Sequence, residues 1–389
     1  MKKEEQDSFF QDVNEFCKEL RPIEEVCYIE HKFNDQLIPL CKKYRILGIP
    51  VRKEYGGREA DALTYTRALD RIGMEGTGIR TFFSGHTSIG QVPIQMWGNE
   101  EQKRKYLPAS TRGEKILAFA LTEPEAGSNP LEMKMTYEDK GSYYVLNGVK
   151  YLISNAGIAD AIVTFGYPKG GNRISAFIID TDREEFLKQD LTTKLGMPTT
   201  NTGLFELNEY PVPKENLLGK EGEGFKIAMS TLMSGRLSVA AGCLGVIADC
   251  LAEVVRYSKQ RQQHGKPIAK HQLVQEHIAM IRTELDAARS LVYRSARAKN
   301  VYDADPSNVT ARAYADRLIA EGKLYASNAA WDAADRAVQV FGGRGYSYMF
   351  RPGRHLQDVR VCRLYEGTDE IMKLKIASAV LGKEYEAYQ

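Results

Sequence analysis

Along the chain, apolar positions first recur at helical spacing. Phe9, Phe10, Val13, Phe16, Cys17 and Leu20 form one stripe, and Arg21-Pro22 predicts its interruption, because proline lacks the N–H that a helix needs. Leu37, Ile38, Leu40, Cys41 and Tyr44 form a second stripe, closed by Gly48 and Pro50. Two more helices are predicted over about 61–75 and 86–97, and Asn99-Glu100-Glu101-Gln102-Lys103 opens a short one ending near Pro108. The period then changes. Ile116 to Leu121 is an unbroken apolar run. Tyr143–Leu146 and Val149–Ile153 flank Asn147-Gly148 as a predicted hairpin with a type I′ turn, and residues 161–165, 175–179 and 202–207 read as further strands. From Gly224 the helical period returns and holds through 225–257, about 269–300 and about 308–340. Helices of that length need partners along their whole extent. The expected fold is therefore a multidomain α+β chain. It has an N-terminal helical domain (1–115), a central antiparallel β-barrel or sandwich (116–223) and a C-terminal four-helix bundle with its terminal loop (224–389).

Composition changes this picture little. A chain of 389 residues with 43% apolar and 27% charged side chains is an ordinary globular protein of two or three domains. A net charge of +2 gives no electrostatic case for nucleic acid or a membrane surface. The six cysteines form no C-x-x-C pair, and most fall on apolar helix faces, which predicts reduced core thiols. The first residues carry neither a signal-peptide apolar stretch nor an Arg/Ser-rich transit pattern, so the expected compartment is cytoplasmic. No window approaches roughly 18 uncharged apolar residues, so no membrane span is expected. G-x-G-x-x-G after a strand, G-x-x-x-x-G-K-[ST] and H-E-x-x-H are all missing, and the six histidines are scattered, so no metal site is expected.

Three stretches carry candidate chemistry. In Arg363 to Ile371, a carboxylate (Glu366) stands between a tyrosine and a Gly-Thr pair just before an amphipathic run. Gly367 frees the backbone, Thr368 is a suitable N-cap and Glu370 falls in the first helical turn. Taken alone, Tyr365-Glu366-Gly367-Thr368 also fits an exposed loop glutamate. Thr122 to Asn129 leaves a strand with two hydroxyls, a proline bend and a glycine, a turn whose N–H groups suit a phosphate or a planar heterocycle, or an ordinary strand-to-loop turn. Gln339 to Tyr346 ends a long helix with three glycines in four positions, fitting a plain C-cap or the close approach of another backbone or ligand.

Taken in order, these stretches resemble the acyl-CoA dehydrogenase family. The matching segments are Glu54–Gly57, Leu121–Pro124 through Asn129, Asn147–Asn155, Arg261–Pro267, His271-Gln272, Gln339–Gly343 and Tyr365–Thr368, which together span nearly the whole chain. The resemblance implies an FAD-dependent desaturation in which Glu366 removes the α-proton of an acyl-CoA thioester and the β-hydride passes to the flavin. The developing enolate needs stabilisation, and the base must be desolvated and close to its proton. Some family members place the base at the position matching Gly235, which here has no side chain. By the same resemblance, Phe119, Leu121, Thr122, Leu152 and Ser154 match flavin-ring contacts, and Gly127 and Ser128 match contacts to flavin, pyrophosphate or CoA. Arg261, His264, Gln272, Gln339, Gly342 and Gly343 match FAD contacts that cross between subunits, and Thr368 and Glu370 match contacts beyond the base. Met233 and Arg236 match the CoA side, and Gly367 the substrate backbone contact.

Three positions depart from the family pattern: Leu152 where an aromatic is common, Ser378 where a late arginine is usual, and His264 where phenylalanine is frequent. Gly78-Ile79-Arg80-Thr81 resembles the stretch whose arginine holds a distal carboxylate in glutaryl-CoA dehydrogenases, although Gly73 replaces the glutamate found seven positions earlier. Arg80 is thus either a substrate contact or a surface arginine. The resemblance further implies a homotetramer passing electrons to an electron-transfer flavoprotein, with no nucleic acid or membrane partner. The rival expectations on the same fold are an acyl-carrier-protein-tethered dehydrogenase, an acyl-CoA oxidase, a flavin monooxygenase or a non-catalytic assembly subunit.

Overall fold

The first stripe does not stop where proline predicts. In the computed structural model, which describes residues 1, 3–385 and 387, α1 (Lys3–Glu30) continues through Pro22. Long-range contacts on both sides of the proline hold the helix together. The Arg21 guanidinium pairs with Glu75 at 2.7 Å and Asp249 at 3.0 Å, buried Glu24 accepts from Asn34, and the Tyr28 hydroxyl donates to Asp358. These outweigh the one hydrogen bond that proline removes. α2 (Leu37–Tyr44), α3 (Ala62–Gly73), α4 (Thr77–Phe83), a π-helical turn (Ser84–Gln91), α5 (Val92–Trp97) and α6 (Glu100–Thr111) follow. The helix predicted from 86 in fact begins at Thr77. Its first two turns are buried on every side, which removes the amphipathic signal. Asn99 and Gln102 form a capping box on α6, which runs past the predicted end at Pro108.

The β segment comprises β1 (Leu117–Ala120), β2 (Thr136–Asp139), β3 (Tyr143–Ser154), β4 (Ala161–Pro168), β5 (Ser175–Asp180), β6 (Phe186–Asp190), β7 (Thr202–Pro213) and β8 (Leu217–Leu218). Their order is β6-β7-β3-β2-β4-β5-β8, with β1 beside β4, and the two ends do not pair, so no closed barrel forms. Nor is the sheet wholly antiparallel, because β4 runs parallel to both β1 and β2. One face packs Ala118, Ile162, Phe177 and Phe205 together. The other packs Leu117, Phe119, Val163 and Phe165 with Tyr106 and Ile227 from the helices. β1 is thus covered on both faces, the physical reason for its unbroken apolar run.

The predicted hairpin at Asn147-Gly148 is wrong. β3 passes straight through that pair as a bulge opposite β7, and the real hairpin joins β2 to β3 around Gly141. A type I′ turn needs positive φ at both central residues, and here Gly148 has it while Asn147 does not. Gly148 instead lets the backbone of Met135 approach, since a Cβ there would lie 2.8 Å from the Met135 Cα.

α7 (Gly224–Gln260), a short pair β9 (Gln262–Gln263) and β10 (Lys266–Pro267), α8 (Gln272–Ala304), α9 (Val309–Phe341), α10 (Arg351–Val359) and α11 (Asp369–Leu381) complete the chain. α7, α8 and α9 share one apolar core. α7 is long and apolar enough by composition to cross a membrane when up to two charged residues are tolerated, but 72% of its most apolar window is buried inside the fold. All six cysteines are buried and free.

Candidate active site

Glu366 sits in the short segment between Arg360–Arg363, a 3-10 turn, and α11. Its backbone is left-handed at φ 55°, followed by Gly367 at φ 91°, and the Thr368 hydroxyl accepts from the N–H of Ile371 as the N-cap. Asp369 anchors the start of the helix by accepting from Arg363 at 2.8 Å and Asn328 at 3.0 Å. A left-handed glutamate costs roughly 1–3 kcal/mol and persists only where the surroundings impose it. Here they do. Arg236 Nε donates to the Glu366 carbonyl at 3.1 Å, and Lys323 Nζ donates to the Gly367 carbonyl at 2.7 Å.

Although the residue as a whole is half-buried, the Oε2 atom of Glu366 is sealed from solvent and has no hydrogen-bond partner. Burial pushes the carboxyl up to about 7, against the pull of Arg236, Arg80 and Lys323. The carboxylate fits there because α7 presents a glycine: a Cβ on Gly235 would lie 2.4 Å from Oε1. A carboxyl that titrates near neutrality, with one oxygen sealed from solvent and unpartnered, is equipped to take a proton from a weak carbon acid. The raised pKa also has a stability consequence. The fold favours the protonated form, so its contribution is complete below the ordinary carboxyl value of 4.5 and is lost as pH rises through about 7. Glu366→Gln, neutral at every pH, is expected to out-melt the wild type by a margin that opens between pH 4.5 and 7. A constant margin in thermal melts across that window would contradict the burial.

Arg80 is no surface residue. It is 1% exposed, donates to the Tyr365 hydroxyl and lies with its guanidinium 5.2 Å from the Tyr365 ring centroid. Gly242 on α7 makes the room, since a Cβ there would fall 2.6 Å from the arginine Cγ. Gly73 in turn packs on the Gly242 backbone, where a Cβ would meet the carbonyl oxygen at 2.5 Å. A glutamate at position 73 is therefore sterically excluded by the same close approach that seats Arg80. The Tyr365 hydroxyl also lies 3.4 Å from Thr81 Oγ1 and from Cys362 Sγ.

The residues matched to flavin contacts form two groups. Leu121 and Thr122 follow β1 and are fixed from beneath. Tyr151 N donates to the Thr122 carbonyl at 2.9 Å, while wholly buried Lys150 donates to the Leu121 carbonyl at 3.2 Å and to Glu123 at 2.8 Å. This brings Leu121, Thr122, Leu152 and Ser154 to one end of β3. Phe119 on β1 is buried in the core cluster against which Leu121 packs, and Leu152 is 54% exposed in a left-handed conformation. A Cβ on Gly127 would meet no atom within 4 Å, so open space adjoins the Gly127-Ser128 turn. In the second group, Arg261, His264, Gln339, Gly342 and Gly343 line a groove of about 760 Å³, and Gln272 follows its His271. Gly342 and Gly343 face open space as well. Position 261 lies 26 residues beyond Gly235, so this groove is roughly 40 Å along α7 from the Glu366 carboxyl.

The structure places the substrate-side residues less uniformly. Arg236 is 5% exposed, holds the Glu366 carbonyl and pairs with Asp316 at 3.5 Å, whereas Met233 belongs to the helical core; Glu370, matched to the cofactor, is exposed. Sequence reasoning missed Lys323 and Gly242. The available signal was a lysine among the core positions of α9 (Leu318, Ile319, Gly322, Ala326), where a charge is costly. Among the described residues, no group of three or more His, Cys, Asp or Glu side chains is placed to hold a metal.

Known proteins resemble this chain over nearly its whole length. Models of the acyl-CoA dehydrogenase N-terminal, middle and C-terminal domains match residues 3–114, 118–210 and 222–381. An acyl-CoA dehydrogenase of Bacillus subtilis (strain 168) is 40% identical over 368 residues, 94% of each chain. A chain in the structure described as the electron transferring flavoprotein of Acidaminococcus fermentans is 36% identical with a TM-score of 0.91, covering 98% of this chain and 99% of that one. The glutaryl-coenzyme A dehydrogenase glutaryl-CoA complex is 31% identical with a TM-score of 0.89, covering 98% and 96%.

Proposed function

The chain belongs to the acyl-CoA dehydrogenase family, and from that premise we propose that Glu366 is the base that removes the α-proton of its acyl-CoA substrate. The observation that carries the reading is the sealed, unpartnered carboxyl facing Gly235, held near neutrality by burial. Removal of the α-proton needs a carboxylate that water does not stabilise, fixed within reach of the carbon. The clamps on the Glu366 and Gly367 carbonyls supply the fixing. They also turn both carbonyl oxygens toward cations and leave the Glu366 N–H available for the thioester oxygen as charge develops there. Bound FAD supplies the acceptor for the hydride lost from the β-carbon. The open space beside Gly127, Gly342 and Gly343 and the fixed turn at Leu121-Thr122 fit such a group. A non-catalytic or monooxygenase role would give no reason for a buried carboxyl kept free of partners.

The groove lined by Arg261, His264, Gln339, Gly342 and Gly343 lies far along α7 from Glu366, and the family resemblance assigns those positions to an FAD held across a subunit contact; on that ground we read the enzyme as at least a dimer and as a homotetramer. The similarity to a chain from an electron-transfer flavoprotein system supports such a protein as the electron acceptor. We place the enzyme in the cytoplasm.

Arg80 favours a more specific substrate. It is a buried guanidinium with no ion pair among the described residues, and its charge bears on the Glu366 carboxyl. A short acyl group ending in a carboxylate would supply the missing partner. In an anaerobic panel of acyl-CoAs read by the flavin spectrum, a short dicarboxylic thioester is expected to bleach the flavin. Arg80→Met should cost that substrate about 100-fold more than an uncharged thioester of equal length. Equal losses on both would reject the carboxylate, and no bleaching by any thioester would reject the dehydrogenase reading.

A further inference from the structure

We infer that Lys323 is a positioning residue for the base: its ammonium, fixed on the carbonyl of Gly367, holds Glu366 left-handed and aims the carboxylate across Gly235. Resting on the assignment of Glu366 as base, this gives a role to a side chain that the mechanism above leaves unused except as a clamp.

Lys323 lies at a core position of α9, is 0% exposed, and spends its ammonium on a backbone carbonyl 2.7 Å away. A buried ammonium bonded to a neutral carbonyl is poorly compensated for lost hydration, and burial accordingly drives the lysine toward its neutral form. A methionine of similar length would pack there at less cost. The retained charge therefore needs another return, and the geometry indicates one. Arg236 from α7 holds the carbonyl of residue 366, and Lys323 from α9 holds that of 367. Two successive peptide planes are thus pinned from two helices, which removes the freedom of a left-handed glutamate to relax. With only one plane held, rotation about the other would carry the carboxylate off Gly235.

The charge acts as well as the bond. The groups bearing on the Glu366 carboxyl are Arg80 from α4, Arg236 from α7 and Lys323 from α9, all cations. Tyr365 and Cys362 from the adjoining segment, Cys243 from α7 and Asp369 from α11 complete the surroundings of Lys323 and the loop. Burial alone would keep Glu366 protonated at neutral pH, and a protonated base accepts nothing. Lys323 shifts the balance toward the carboxylate without donating to it, so the lone pairs stay free for the substrate.

The test uses the FAD-loaded protein with Lys323→Met and Lys323→Gln. Two readouts are taken: the anaerobic rate of flavin reduction by an acyl-CoA, and the titration midpoint of the Glu366 carboxyl infrared band, identified as the band that Glu366→Gln removes. Both variants are expected to raise the midpoint. Lys323→Met is expected to slow reduction about 10- to 100-fold at pH 7, the scale of a misplaced catalytic group, and Lys323→Gln, which keeps a donor, is expected to slow it less. An unchanged midpoint in both variants overturns the inference, even if the rate falls, because a merely structural lysine would cost rate alone. An unchanged rate in Lys323→Met overturns it equally. Should Lys323→Met fail to fold, the midpoint of Lys323→Gln decides. If wild type itself is not reduced by any acyl-CoA, the functional reading fails, while the infrared midpoint still judges the lysine.

Discussion

Glu366→Gln is expected to retain bound flavin and to lose acyl-CoA-dependent bleaching by about 10²- to 10⁴-fold, the usual worth of a positioned base. The substitution is nearly isosteric. The Arg236 and Lys323 clamps bind backbone carbonyls, so the loop should keep its shape. Oε2 makes no hydrogen bond, so no structural partner is lost. What disappears is the ability to accept a proton. The measurement is stopped-flow flavin absorbance under anaerobic conditions, with flavin content and melting temperature as controls. A normal bleaching rate in a fully loaded variant would remove Glu366 from the mechanism.

Gly235→Ala should come close behind. A Cβ at that position would stand 2.4–2.5 Å from all three carboxyl atoms of Glu366, so something must move. α7 is a long helix locked in the core, with the neighbouring Met233 and Leu237 both 2% exposed, so the carboxylate is what yields. Displacing a base by an ångström or so costs about 100-fold, and one added methyl should have that effect here while leaving flavin binding intact. The converse follows from the same vector. Because the Gly235 Cα–Cβ direction points at the present carboxyl, Gly235→Glu combined with Glu366→Gly would return a carboxylate to nearly the same volume from the opposite wall. Partial recovery of bleaching relative to Glu366→Gly alone is expected. A wild-type rate in Gly235→Ala would show that the two groups do not share that space.

Much of this was legible from local signals. Thr368 as N-cap, the helix opening at Asn99, the long helices after Gly224 and the apolar run from Ile116 that becomes β1 all depend on neighbours within a few residues, and all lie within a residue or so of where expected. The same locality explains the failures. Pro22 marks a helix end by its own chemistry, but Glu75 and Asp249 hold the neighbouring Arg21 from far along the chain. Asn147-Gly148 is a strong hairpin signal, overridden by β7 and Met135 pressing on either side.

The site divides in the same way. By itself the sequence determined that a carboxylate stands on a freed backbone at a helix start, and that a chain of this helical–β–helical order resembles a family using such a carboxylate. It left open whether Glu366 is solvated, where Arg80 points, and that Lys323 takes part at all. Those were decided by residues distant in sequence: Gly235 opening the space, Gly73 and Gly242 seating Arg80, and α7 and α9 each sending a cation to the loop. The physical reason is that turn and helix preferences are short-range, whereas desolvation and charge placement, which make a glutamate a base, exist only once separate elements have packed.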